Sequence, residues 1–477
     1  MNKGKGGDYR GKVNHGWITC FETLRKEGCT MKRSFFALLI IVVMTALIFS
    51  GGTPLALSAQ KDAPKEILIG DVGSFTGPYA AFGQGVFGVE AAIEDINKQG
   101  GVYVKEYGKK IPVRLITRDM QSDMLKDAPL TQDLILREKV HFLAEHLEPP
   151  YMRQGAANMA EKYKIPYVTG VGPFESWMGI KGAVSPPWTY TWAYGFAIGT
   201  PAPEGDFRVG KKGYLMVPTW FGALGEFADQ TNKKVAAFGA DDPDGRSWYM
   251  AFTGLAKDAG YDCYRAKDQF GIFPPGTTDF TSVIREWKRY GCEILWGNCP
   301  APDYGILWRQ ARTMGFRPKI VFATRASLFY RDIESWGGDL PHGVGMELFW
   351  DPSIKDGVGI GETTPKSLVE RWYEKTGEPL NQGIGYSYMA AQVLFAAIER
   401  AGTLDGQKVN KALGETDMMT MYGRVVFDKE AQFHRMNVQF GQWRKTNKPW
   451  KWEAPVVFSF NDNVPATAKL IFPMPYD

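Results

Sequence analysis

Gly83-Gln84-Gly85-Val86-Phe87-Gly88 spells GxGxxG, the string that seats a pyrophosphate in dinucleotide-binding folds. That chemistry needs the glycines directly after a strand, so that the phosphates meet a helix N-terminus. Here ten residues separate Gly83 from Val72, the end of the preceding apolar run. Asp119, which could hold a ribose, lies farther along than the motif expects. The spacing argues for a loop followed by a scaffold helix. His146 between Glu145 and Glu148 offers metal donors, but one His beside two carboxylates is a thin set, and a loop with one polar His explains it better. Asp241-Asp242-Pro243-Asp244-Gly245 resembles part of a calcium loop without the distal Glu; an Asp capping a helix is the better explanation. Trp188, Trp192 and Tyr194 alternate with Thr189, Thr191 and Ala193, the pattern of a half-buried strand or hinge segment whose rings could also wall a ligand cleft. HExxH, Walker A, GxSxG and CxxC do not occur.

The elements that must carry these residues alternate. Residues 67–72 read as a buried strand, 73–83 as a Gly/Pro/Ser/Thr loop, and the next run as a helix with Val86, Val89, Ala92, Ile93 and Ile96 on one face. Gly100 and Gly101 end that helix. Strands follow at 111–117, 141–144 and 165–169, with helices at 128–139 and 152–163. A second set has strands at 234–239, 262–270, 293–296 and 320–324, with helices in 244–260, 279–290 and 304–314. This alternation predicts parallel sheets with right-handed crossovers. Residues 175–226 are aromatic and glycine-rich, and 201–213 look like an exposed insertion. Helices are expected at 365–376, 388–401 and 404–413 and strands within 422–442; residues 448–477 should wrap the surface.

The chain has 477 residues and a formal charge of +4, enough for two or three domains. Met31-Lys32-Arg33, the apolar run 35–49 and Ala56-Leu57-Ser58-Ala59 have the layout of a secretory signal, cleaved after Ser58 or Ala59. Residues 1–30 fit poorly ahead of such a signal, which makes Met31 the expected start. A membrane anchor is the competing reading, but the apolar run is short for a span. Without the 8 basic and 3 acidic residues of 1–59 the remainder carries −1. The basic balance belongs to the leader and does not argue for nucleic acid. Cys263, Cys292 and Cys299 follow the leader. An odd count permits one disulfide and one thiol, while an extended strand between Cys292 and Cys299 would hold them too far apart to bond; fully reduced is the preferred expectation.

Taken in order, these segments resemble the substrate-binding proteins of branched-chain amino acid ABC transporters, the leucine/isoleucine/valine-binding type. The resemblance runs through Ile69-Gly70, Phe75-Thr76-Gly77-Pro78, Ala80-Ala81-Phe82-Gly83 and the AAIEDINKQGG of 91–101. It continues at Arg118-Asp119, Ile165-Pro166-Tyr167-Val168, Thr278-Asp279-Phe280 and the WRQARTMG of 308–315. It closes on 388–402 and Tyr422-Gly423-Arg424-Val425-Val426-Phe427-Asp428. It implies the type I periplasmic binding protein architecture: α/β, two doubly wound parallel-sheet lobes joined by a three-strand hinge and closing on a ligand. The lobes would be 65–193 with 351–432, and 194–350 with 433–477.

Site residues follow from the same resemblance. Phe82 would pack on the ligand. Leu147-Glu148-Pro149-Pro150 and residues 169–173, with Thr169, Val171 and Gly172, match two loops that hold the ligand carboxylate. Asp244 stands where the family has an aromatic contact. Arg325 (or Thr324) stands where the family has the acid that meets the ligand ammonium, and Tyr388 matches a pocket tyrosine. Trp192 is the aromatic wall read above. The cradle has lost a hydroxyl, and proline cannot donate an N–H. A zwitterionic amino acid would leave buried charges unpaired. The expected ligand is therefore another small polar solute, amino-acid-like, an amide or an organic acid, with an acid pairing to Arg325. The implied protein is a periplasmic, monomeric solute-binding protein without catalysis, cofactor, metal or nucleic acid, serving an ABC importer's inner-membrane permease. A ligand-sensing domain for a signalling partner and an exported enzyme are the competing readings.

Overall fold

A computed structural model describes residues 62–225 and 227–476; the leader expected over 1–59 lies outside the described residues. Apolar runs become short strands buried on both faces, as parallel sheets covered by helices require. The first five are β1 (Ile67–Gly73), β2 (Val113–Asp119), β3 (Phe142–Leu147), β4 (Tyr167–Gly170) and β5 (Thr191–Gly195). Then come β6 (Lys234–Ala240), β7 (Asp262–Cys263), β8 (Ile272–Phe273), β9 (Ile294–Asn298), β10 (Ile320–Thr324) and β11 (Gly345–Leu348). The last three in the large sheets are β12 (Phe433–Arg435), β13 (Gln439–Gln442) and β14 (Val456–Ser459).

The first sheet is wholly parallel, in the order β12-β5-β4-β3-β1-β2. The second runs β8-β6-β9-β10-β11-β13-β14, with β7 beside β6. Its β13 and β14 are antiparallel. In each sheet the strand order reverses near the middle, at β1/β3 and at β6/β9. At such switch points the loops leaving the carboxyl ends part and open a crevice.

The chain passes between the sheets three times, after Gly195, Leu348 and Arg435. Strand β5 runs on to Gly195, and Phe433–Arg435 pair with it, so the chain leaves the first sheet at Gly195 and again at Arg435. Two segments differ from expectation. Residues 262–270 hold no single strand, because Arg265 and Gln269 sit at φ 48° and 54° around a 3₁₀ turn, and left-handed residues cannot continue a strand. The C-terminal tail contributes β14 to the second sheet as well as covering it. In the 201–213 insertion, Arg208 is buried, with its guanidinium on Asp206 and on the carbonyls of Val426 and Arg435.

The helix predicted after the first loop is α1 (Val86–Lys98). It lies along α4 (Gly383–Ala401), the buried helix of the first lobe; α2 (Pro243–Asp258) and α3 (Pro365–Thr376) stand between them in sequence. A Cβ at Gly88 would lie 2.1 Å from the Ile384 carbonyl oxygen and 2.7 Å from the Tyr388 nitrogen; one at Gly83 would lie 2.3 Å from the Ser74 carbonyl oxygen. The GxGxxG string thus lets two helix backbones and a loop touch. Cys263, Cys292 and Cys299 are free.

Candidate functional site

The carboxyl ends of both sheets face one cleft. From the first sheet come Phe82, on the short helix Ala80–Gly83 after β1, then Leu147 to Pro150 after β3, Gly172 and Pro173 after β4, and Phe196 after β5. From the second come Asp244 after β6, Asn298 ending β9, Arg325 after β10, Leu328, and Glu347 and Phe349 around the end of β11. The walls are apolar. Phe196 stacks on Phe349 with centroids 4.9 Å apart, and Phe82 meets Phe329 edge-on across the cleft at 4.8 Å. The cavity they enclose is about 30 Å³, room for very few water molecules. Arg331 and Glu378 form an ion pair at 2.6 Å across the cleft rim; being partly exposed, it is worth at most about 1 kcal/mol.

Most polar groups of the cleft sit at strand ends; Asp244 lies in the first turn of α2. Arg325 is buried and left-handed, φ 59°. Its Nη2 lies 3.0 Å from Asp242 Oδ2 and its Nη1 lies 3.4 Å from Asp244 Oδ2, while its backbone N–H donates to Glu347 Oε1 at 3.0 Å. Asp242 also caps α2 by accepting from the Gly245 N–H, the capping role expected of the Asp-rich run. Burial pushes the Asp244 carboxyl up to about 6 although Arg325 opposes it. Burial likewise lifts Glu347 to about 8, offset in part by the Arg325 N–H.

Beneath the first-sheet rim lies a fully buried charge network. Glu148 Oε1 accepts from the Ser74 N–H at 2.9 Å. His146 sits between Asp71 (3.2 Å) and Glu148 (3.5 Å). Burial alone would lower the imidazole; Asp71 and Glu148 outweigh it and raise it to about 9. Arg153 reaches Glu145 at 3.0 Å and donates to the carbonyls of Val72 and His146, tying the ends of β1 and β3 together. Burial raises Glu145 well above the usual range, and Asp127 to about 7. Among the described residues no group of three or more His, Cys, Asp or Glu is arranged to hold a metal ion. No described helix is long and apolar enough to cross a membrane.

Residues 66–448 match the periplasmic binding protein family. The chain belongs to that family. This binding protein is 24% identical over 417 residues to the Leu/Ile/Val-binding protein homolog 1 of Brucella abortus (strain 2308), an alignment spanning 85% of this chain and 95% of that one. Its fold is shared with the leucine binding protein of Thermotoga maritima, TM-score 0.63 at 18% identity, covering 82% of this chain and 99% of that one. It is shared too with an R. palustris ABC-transporter solute binding protein solved in complex with 4-hydroxybenzoate, TM-score 0.62 at 20% identity, covering 83% and 98%. The binding protein is thus of the solute-binding class, in the type I fold with one parallel and one mixed sheet.

Six of the ten residues named from the sequence line its cleft: Phe82, Leu147, Glu148, Gly172, Asp244 and Arg325. Four do not. Thr169 and Val171 are buried among the strands, the latter donating its N–H to the Tyr194 carbonyl. Trp192 donates its indole N–H to Asn410 Oδ1 and packs on Phe427, so it walls the first lobe's core. Tyr388 donates to Asp95 Oδ2 at 2.8 Å and accepts from the Ile360 N–H; it braces α4 against α1. The carboxylate partner expected for Arg325 comes from the chain itself, as Asp242 and Asp244. Phe196, Asn298, Leu328, Glu347 and Phe349 were not singled out. Four of these five sit within a residue of a strand's carboxyl end, and that rule, applied to every strand, would have named them.

The buried network gives this binding protein a signed pH dependence. Glu347 (about 8), Asp127 (about 7) and His146 (about 9) all bind protons more tightly folded than unfolded, where their ordinary values are 4.5, 3.8 and 6.5. The folded state then carries more protons, and stability falls as pH rises through those values. His434, held at about 3 by burial and Arg208, acts in the opposite sense only below about pH 6.5. The expected outcome is a melting temperature that falls from pH 7 to pH 8; a rise over that interval would contradict the network's assignment.

Proposed function

We propose that this protein captures a small polar solute between its two lobes and delivers it to the membrane permease of an ABC importer, itself catalysing nothing. Its place would be the periplasm, as a monomer. The lobes that close would be residues 65–193 with 351–432 and 194–350 with 433–477, with the crossings as hinge. The observation that carries this reading is the cleft itself: strand ends from both sheets meet at both switch points, walled by Phe82, Phe196 and Phe349. Carboxyl groups, one amide and one guanidinium can orient a solute, and closure buries it. Membership of the periplasmic binding protein family supports the same reading, as do relatives whose own partners are leucine-type amino acids and 4-hydroxybenzoate.

Within this proposal Phe82, Leu147, Glu148, Gly172, Asp244 and Arg325 contact the solute. The ligand would not be leucine-like, because the loop matching the family's carboxylate cradle has lost its hydroxyl and carries Pro149 and Pro150, which donate no N–H, beside the acid Glu148. A thermal-shift panel of amino acids, amides, amines and organic acids tests it. At least one small polar solute should raise the melting temperature, with leucine and valine giving no such rise. Phe82→Ala should then weaken that solute by about tenfold or more in calorimetry, the usual cost of truncating a central aromatic anchor. Stabilisation by leucine or valine alone would overturn the ligand reading, and equal affinity in the Phe82 variant would move the site elsewhere.

A further inference from the structure

The cleft's unsatisfied polar atoms specify what it should hold. Glu148 Oε2, Asp244 Oδ1 and Glu347 Oε2 are buried and have no hydrogen-bond partner, although each residue's other oxygen is engaged. All three line the cavity and are at most 4% exposed. Asn298, also buried there, bears on Asp244 through its amide and leaves its Oδ1 free. The one cation among the described lining residues, Arg325, pairs with Asp242 and Asp244, while its Nε and Nη1 have no hydrogen-bond partner. Three carboxyl groups and one amide from both lobes thus converge on a small space with one guanidinium, four free acceptor oxygens against two free donors. Buried acceptors left unpaired are costly, and a carboxylate placed among them would add like charge in a desolvated site.

We propose that the solute is a small organic cation bearing N–H donors, of the amidinium, guanidinium or ammonium class. This rests on the solute-capture reading above. An amidinium's fork of N–H groups could donate to Glu148 on one lobe and to Asp244 and Glu347 on the other, so that the ligand's charge joins the lobes. The aromatic rings would then pack on its apolar part. Burial lifts the Asp244 and Glu347 carboxyls, and a bound cation would draw both back toward their ionised forms.

The test uses two isosteric series in which size is fixed and charge varies: acetamidinium, acetamide and acetate; benzamidinium, benzamide and benzoate. Calorimetry and thermal shift on the protein should rank amidinium over amide over carboxylate in whichever series fits. The amidinium should bind at least about 100-fold more tightly than its carboxylate, the scale of a like-charge penalty in a buried site. Glu148→Gln, which keeps an acceptor for the Ser74 N–H, should weaken the amidinium by about tenfold more than it weakens the amide. A carboxylate that binds as tightly as its amidinium overturns the proposal. Silence of all six while an acid or neutral solute from the wider panel binds overturns the cation and leaves solute capture standing. A panel with no binder at all overturns both.

Discussion

Arg153→Met is expected to destabilise the protein by about 3–5 kcal/mol, the cost of stripping one partner from a buried ion pair. The side chain is fully buried and is the only cation directly on Glu145 among the described residues. It also donates to the carbonyls of Val72 and His146 at the ends of β1 and β3. Met fills the volume but donates to none of them. Glu145 would be left to Tyr167 and the Val72 N–H, and two carbonyls at the cleft rim would lose their donor. Chemical denaturation checks this: a midpoint shift worth less than about 1 kcal/mol would mean that the network carries little of the fold. Adding Glu145→Gln should restore part of the loss, because the uncompensated charge goes with it.

Gly88→Val should be the second severe change, about 3 kcal/mol or more, at the upper end of overpacking costs. Its Cβ would meet three backbone atoms of α4 inside 3 Å, and none can swing aside as a side chain would. The helices must part, and α4 carries the Tyr388–Asp95 brace. Gly385 in α4 is similarly pressed, a Cβ there lying 2.0 Å from Trp350 Cδ2. Gly254 supplies the contrast, since a Cβ there meets nothing within 4 Å. Gly254→Ala, in the exposed face of α2, should stabilise by about 0.5–1 kcal/mol through helix propensity alone. Melting curves of the two variants decide it. Equal effects at Gly88 and Gly254 would show that α1 and α4 do not depend on contact through the glycine.

How much of this was legible in the sequence depends on how far apart the deciding residues lie. Strand and helix alternation is local, and the periodic runs at 67–72, 86–96 and 320–324 were enough to place β1, α1 and β10. The spacing argument against a nucleotide was also local, and it agrees with Gly83 and Gly88 serving close packing. The site was half legible. Loops after β1 and β3 announce themselves through Phe82 and Glu148-Pro149-Pro150. What could not be seen was that Arg325 is neutralised by Asp242, 83 residues away, or that Glu347 returns from the far side of β11 to face it. Trp192 and Tyr388 misled for the opposite reason. An aromatic side chain declares its size in the sequence but not its direction, and both point into the first lobe's own core.

The edge strand β12 has one more implication, for when the molecule can exist at all. It is laid beside β5 by residues 433–435, some 240 positions after that strand, and the first lobe's buried helix α4 arrives nearly as late. Neither sheet can therefore be completed from contiguous chain, and closure of so long a loop delays assembly more than it weakens the product. A nascent chain that has not yet reached residue 433 lacks β12 of the first sheet and β13 and β14 of the second, so neither sheet has its full set of strands until synthesis is nearly over.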